Sequence, residues 1–381
     1  MLINLLVICE KQQELDDLEE VVIELRKKNK NIVIYLVDFM SFTGETLTPT
    51  HELFDQVVIP RGLFNRAYYK LGLIKKVISI LYGIGLLVSF SKRQNITHIL
   101  YGVPIVFFRA LNFIPLRKYK TFSYVRSTVT MDDSRRKRRS NIIRKILNVI
   151  GFTKPYVADY FFCIDDSTKE YIQGLYPDCE ANKVQNIGSI YSYNLLVSRE
   201  RELNEKQKGK QKVTKICFLS SAFSWHGDPQ SDNEQVSLLE GLCEKVQQFN
   251  LSTSSHLKVL LKLHPRDSIE LYRHLIMQRK VEVLHEIDVK YLDNSYCFVS
   301  VLSTLSYELA QAGFKSLYMS NNFLSSKYEG WYQKNSVIPL NVLDKDLIER
   351  VLNHKAVKPL SFVEMSAPQN KLAFFMETVV K

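Results

Sequence analysis

"LKVLLKLHPRDSIELYRHLIMQ", Leu257–Gln278, sets the reading of the whole chain. Val259, Leu260 and Leu261 form an apolar run with strand habit. Pro265 stops it, because a proline has no N–H to give to a sheet. "DSIELYRHLIMQ" then reads as a helix that opens on an Asp/Ser start. Strand, break and helix are the repeating unit of a parallel sheet, whose neighbouring strands need a crossover. The proline accounts for the stop but not for Lys262, His264 and Arg266 around it. Two cations and a histidine at a strand end suit an anion, and a phosphate is the expected one.

The same alternation runs outward in both directions. "LINLLVI" reads as a strand, and Leu15, Leu18, Val22 and Leu25 then recur at helical spacing. "NIVIYLVDF" and "DQVVIP" are strands, 65–93 is one or two apolar helices, and "THILYG", "KTFSYV" and "ADYFFCID" are further strands. Helices are expected over "PIVFFRALNF", over about 140–150 and over "DSTKEYIQGLY", and "KVQNIGSI" closes this half. The stretch 198–215 is then almost wholly charged and amide residues, the composition of an exposed linker. Beyond it "KICFLSS", "LKVLLKLH", "VEVLHE", "SYCFVSV" and "KSLYMS" alternate with helices, one of them "TLSYELAQAG" stopped by Gly313. The fold class expected is α/β, with two Rossmann-like doubly wound domains facing a cleft. The boundaries expected are 1–197, a charged linker 198–214, and 215–381.

Composition narrows the class of protein. The 381 residues are 46% hydrophobic and 24% charged, a balance that suits about two globular cores. Six cysteines stand singly with no CxxC pair, which predicts reduced core thiols, a cytoplasmic setting and no zinc-ligand spacing. The N-terminus lacks a basic n-region and a cleavage site. The most apolar stretch, 71–90, is interrupted by Lys75 and Lys76, leaving 14 residues from Val77 to Phe90. A span needs about 20, so a buried helix is expected there. Net charge is +11, and residues 109–154 hold 13 Lys/Arg against Asp132 and Asp133, an excess equal to that of the whole chain. The basicity is therefore a local device for something anionic.

In open α/β sheets ligands bind beyond the carboxyl ends of the strands. Three such ends in the second half carry polar groups: Ser220, Ser221 and Gly227; Lys262, His264, Pro265 and Arg266; and Ser303, Thr304 and Ser306. Hydroxyls at a helix start add donors to a terminus that already favours anions. Each residue also has a plainer reading. Ser303 or Thr304 can cap the helix, His264 can be structural, and Lys262 can be a solvated strand end. Glu308 does not fit a capping box from Ser303 or Thr304, which would need a glutamate at 306 or 307. In the first half Asp38, Asp165 and Asp166 end strands, and the Asp132–Asp133 pair reads either as functional carboxylates or as a solvated turn.

The Lys-x-His-Pro of 262–265, followed by the Ser/Thr-rich turn at 303–306, resembles the bacterial sialyltransferases and polysialyltransferases of the GT-B fold. The resemblance implies that Lys262, His264 and Pro265 contact the phosphate and cytidine of a CMP-linked donor. It also implies that Ser303, Thr304 and Ser306 hold the phosphate; Ser220 and Ser221 are expected in the donor site from their own strand-end position. "YELAQAG", 307–313, is similar to the next GT-B helix, where Glu308 would meet the ribose. In that family an acid-acid-Gly motif after a strand like "KTFSYV" supplies the base. This chain reads "YVRSTVTMDDS" there, which leaves Asp132 and Asp133 as the nearest carboxylates.

The expectation is an inverting glycosyltransferase of bacterial surface polysaccharide synthesis, whether capsule, lipooligosaccharide or exopolysaccharide. Asp132 or Asp133 would be the base and His264 would stand at the leaving phosphate. No metal or other cofactor is expected, because fixed cations supply the field. The partners expected are a nucleotide sugar, a glycan acceptor that can be lipid-linked, and an anionic membrane surface met by residues 135–150, with no nucleic acid. That places the protein in the cytoplasm or at the inner face of a membrane. An inactive glycan-binding scaffold, a phosphotransferase and an epimerase remain open as alternatives.

Overall fold

The computed structural model describes residues 3–43, 45–60, 73–102, 119–126, 158–175, 180–205, 213–224, 228–285, 287, 292, 295–334, 337–354 and 367–380. The chain divides into two compact units, Met1–Ile190 with Ser366–Lys381, and Tyr191–Met365.

The first unit is built on β1 (Ile3–Cys9), β2 (Ile32–Asp38), β3 (Gln56–Val58), β4 (His98–Tyr101), β5 (Lys120–Val125), β6 (Tyr160–Cys163) and β7 (Val184–Asn186). Its sheet order is β3-β2-β1-β4-β5-β6-β7, and every pairing is parallel. Leu5, Leu6 and Val7 of β1 are fully buried, as expected of a central strand covered on both faces. Helix α1 (Gln12–Lys28) lays Leu15, Leu18, Val21, Val22 and Leu25 onto one face. Helix α2 (Leu73–Arg93) turns Ile84 and Leu87 to the other. The expected burial of α2 holds only for its later turns. Ile74, Val77, Ile78 and Leu81 are exposed, and no helix among the described residues is long and apolar enough to cross a membrane. Helix α3 (Asp166–Leu175) follows β6.

The second unit holds β8 (Lys215–Leu219), β9 (Lys258–Lys262), β10 (Glu282–Val283), β11 (Tyr296–Ser300), β12 (Lys315–Ser320) and β13 (Leu340–Asn341). Their order is β10-β9-β8-β11-β12-β13, again parallel throughout. This is the doubly wound order of two mirrored halves, with the reversal between β8 and β11. Helices α4 (Ile190–Glu205), α5 (Pro229–Thr253), α6 (Arg273–Met277), α7 (Thr304–Gln311), α8 (Asn322–Lys334) and α9 (Leu347–Asn353) complete the elements up to the last turn of the chain.

Two boundaries differ from the sequence reading. The expected linker 198–214 begins inside α4, which continues to Glu205. Glu, Arg and Gln are good helix formers, so a charged run can extend a helix as readily as interrupt the chain. The last helix, α10 (Pro368–Val380), belongs to the first unit instead of the second. Its Leu372, Ala373 and Met376 are buried in one core with Leu5, Leu18 and Val22, and apolar burial of this kind outweighs sequence proximity.

Candidate functional site

In the second unit the register brings three strand ends level. Leu219 pairs with Lys262 on one side and with Ser300 on the other. The residues that follow, Ser220–Ser221, Leu263–His264 and Val301–Ser303, therefore form one rim at the reversal point of the sheet. Side chains stitch that rim together. The His264 N–H donates to Ser220 Oγ at 2.9 Å, and the Ser221 hydroxyl donates to the Leu302 carbonyl. The Ser220 N–H donates to the Lys262 carbonyl at 3.0 Å.

Beneath the rim runs a buried polar chain. Gln235 and Tyr272 are fully buried. Gln235 Oε1 accepts from the Ser221 N–H at 2.8 Å, and its Nε2 donates to the Ser221 carbonyl and to the Tyr272 hydroxyl. Tyr272 donates onward to Asp267 Oδ2 at 2.9 Å. Burial pushes the Asp267 carboxyl up, while hydrogen bonds from Ser220, Tyr272 and the Ser268 N–H act against that rise. Asp232 accepts from the Phe223 and Ser224 N–H groups at 2.9 and 2.6 Å, which fixes the loop after β8. A satisfied buried network of this kind holds a loop in one conformation.

His264 and Pro265 lie exposed in the turn after β9, and Lys262 is half-buried. His264 Nδ1 accepts from the Arg266 N–H at 3.1 Å, so the neutral ring carries its hydrogen on Nε2. Nε2–H is then the donor of the neutral ring. Ser303 is the N-cap of α7, its hydroxyl accepting from the Ser306 N–H. The N–H groups of Thr304 and Leu305 open the helix and have no acceptor within it. The register sets the start of α7, Lys262 and His264 at one edge of the sheet, and Lys262 Nζ donates to the Leu263 carbonyl at 3.1 Å.

Not every expected residue faces this surface. Ser306 is fully buried, and its hydroxyl pairs with Ser316 Oγ at 2.7 Å on β12. Glu308 is 2% exposed, on the packed side of α7. Helical spacing places Ser306 with Leu309, and Glu308 with Ala312, and both partners are in the core. Asp132 and Asp133, Gly227 and the basic segment 135–150 lie outside the described residues.

The first unit has its own reversal, between β1 and β4. Glu14 and Asp17, on the first turns of α1, are buried there. Glu14 Oε2 accepts from the Glu10 N–H at 3.3 Å, and Lys11 Nζ lies 3.8 Å from its other oxygen. A Cβ on Gly102, just past β4, would stand 2.9 Å from Glu14 Cδ. Arg126, just past β5, pairs with Asp17 at 3.4 Å and donates to the Gln13 carbonyl. The sequence reading passed over this group, although Glu14 and Asp17 share the helix face of Leu18 and Val21. Asp38 is committed elsewhere: its two carboxylate oxygens accept from the Ser41 and Leu47 N–H groups. Asp165 accepts from the Thr168 N–H at 2.6 Å, at the start of α3.

The sequence matches no family model and no curated protein. Solved structures match it along its full length. The UDP-GlcNAc 2-epimerase of Neisseria meningitidis, bound to UDP-GlcNAc, is 11% identical with a TM-score of 0.61, covering 99% of this chain and 100% of that one. The Methanocaldococcus jannaschii UDP-GlcNAc 2-epimerase, in complex with UDP-GlcNAc and UDP, is 12% identical with a TM-score of 0.58, covering 99% and 100%. CalG4, the calicheamicin glycosyltransferase, is 10% identical with a TM-score of 0.57, covering 99% and 98%. The chain has the GT-B fold, the architecture of these epimerases and glycosyltransferases.

Proposed function

We propose that the protein is a glycosyltransferase whose nucleotide-sugar donor sits on the carboxyl edge of the second unit's sheet. The observation that carries this reading is the rim at the β8–β11 reversal. There Lys262, the Nε2–H edge of His264 and the Ser303-capped start of α7 offer positive charge and donors to a phosphate. Departure of a nucleoside phosphate leaves negative charge on that phosphate, and fixed donors in place beforehand stabilise it without a metal. A CMP-linked sugar is the donor proposed, from the Lys-x-His-Pro of 262–265. Attack by the acceptor hydroxyl inverts the anomeric carbon, and a carboxylate takes the proton, with Asp132 or Asp133 in that place. Surface polysaccharide synthesis at the inner face of a membrane, with residues 135–150 against anionic lipid, is the setting proposed.

The epimerase reading is favoured by one observation, the several UDP-GlcNAc 2-epimerases among the fold neighbours. Both readings use the same phosphate surface and part at the acceptor. The experiment is a thermal-shift panel of CMP, CDP, UDP and GDP, followed by incubation of the stabilising nucleotide's sugars with and without glycan acceptors. Stabilisation by CMP and acceptor-dependent release of CMP support the transferase. An altered sugar formed from UDP-GlcNAc without acceptor replaces it with the epimerase. No response to any nucleotide overturns both and leaves a scaffold.

A further inference from the structure

Helix α2 begins with an apolar stripe that is exposed among the described residues. Ile74 is 75% exposed, Val77 47%, Ile78 44% and Leu81 63%. Their spacing of three, one and three residues puts them on one face of the helix, over roughly 10 Å of its length. Ser79 on the other side of the same turns, and Ile84, Leu87 and Ser91 further along the helix, are buried in the first unit. The later outward positions Gly85, Ser89 and Lys92 are small or polar, so the exposed apolar character is confined to the first two turns. Single exposed apolar residues are ordinary, whereas four in register on one helix face mark a docking surface.

The charge of the sequence that carries the stripe says what kind of surface it meets. Lys75 stands exposed within it. From residue 56 to residue 131 the chain has twelve Lys/Arg and not one Asp or Glu. An apolar face in an acid-free, cationic sequence is the pattern of a helix lying in the interface of an anionic bilayer, its side chains in the acyl boundary and its lysines at the headgroups. A second protein copy fits less well. Four side chains fall short of the about 800 Å² per partner that a specific interface uses. We infer that the first two turns of α2 form a membrane-docking face for anionic lipid, separate from residues 135–150.

The test is co-sedimentation of the full-length protein with phosphatidylcholine vesicles, with and without phosphatidylglycerol. The triple variant Ile74→Ser, Ile78→Ser, Leu81→Ser is compared with Leu251→Ser, which alters an equally exposed leucine in the second unit, 79% exposed. Thermal midpoints and light scattering accompany each sample. The expected result is binding to phosphatidylglycerol vesicles that the triple variant weakens at least about tenfold. The Leu251 variant should bind as the parent does, with midpoints unchanged. Undiminished binding by the triple variant overturns the inference, as does equal binding of the parent to neutral vesicles. A parent dimer that the triple variant converts to monomer also overturns it, and makes the stripe an interface between copies.

Discussion

The backbone N–H of His264 donates to Ser220 Oγ across 2.9 Å, so the residue that follows β8 fixes the histidine that follows β9. Ser220 is buried and His264 is exposed, which gives the pair separable behaviour. His264→Ala should lower nucleotide affinity about tenfold or more and leave the melting midpoint nearly unchanged. Ser220→Ala should lower both, by about 1 kcal/mol in stability, because a part-buried N–H loses its acceptor. Isothermal titration and thermal melts separate the two. A large stability loss in His264→Ala with intact nucleotide binding would make the histidine structural.

The proposed base is tested by Asp132→Asn and Asp133→Asn. Loss of a general base typically costs at least about 100-fold in turnover, with nucleotide affinity unchanged. Near-normal rates in both single variants and the double variant would move the base elsewhere. Glu14, at the reversal of the first unit, is then the residue to replace, since the Asp38 oxygens are held by the Ser41 and Leu47 N–H groups.

Gly102 and Glu14 should be energetically coupled. A methyl group at 102 would lie 2.9 Å from Glu14 Cδ, and that carboxylate is buried and held by the Glu10 N–H. Gly102→Ala is expected to cost about 1–3 kcal/mol, the usual range for overpacking. Adding Glu14→Ala should recover part of that loss, which urea unfolding of both single variants and the pair measures as a non-additive term. Strict additivity would mean that the strand end moves and the glutamate does not.

His98 predicts an acid limb in the stability of the first unit. Burial, reinforced by the charge of Lys120, lowers this histidine from 6.5 to about 4. Its ring lies parallel to Phe122 and its Nε2 has no partner, so the folded unit favours the neutral form. The unfolded chain takes up a proton near pH 6.5 that the folded one resists until about 4. Stability from this group is therefore complete above about 6.5 and falls as pH drops to about 4, by at most ~1.4 kcal/mol per pH unit. His98→Phe should flatten that part of the urea-midpoint profile. A difference between the two profiles that stays constant across the window would assign the limb to other groups.

The strands were legible because the pattern that makes them is local. Apolar runs such as "KICFL" and a proline at 265 are enough to start and stop a buried strand. The strand-end location of Lys262, His264 and Ser303 followed from the same reading. The orientation of Ser306 and Glu308 did not, because a family motif names positions while helix rotation decides which of them face outward. Leu309 and Ala312 on their side of α7 were the available signal. The chain Gln235–Tyr272–Asp267 was hidden for another reason: its members lie on separate elements and meet only when the sheet closes. Helix α10 was assigned to the wrong unit because contacts across more than three hundred residues leave no local trace.

That return of α10 has a consequence for how the protein is made. The ribosome completes the first half of the chain early, yet Leu372, Ala373 and Met376, which belong to that unit's core, are synthesised only after all of Tyr191–Met365. At about 5–20 residues per second, translation of the intervening stretch takes roughly 10–35 s. Throughout that interval the nascent first unit has the groove for its closing helix but not the helix, and it depends on the growing polypeptide, or on whatever shields it, to keep that groove from other partners.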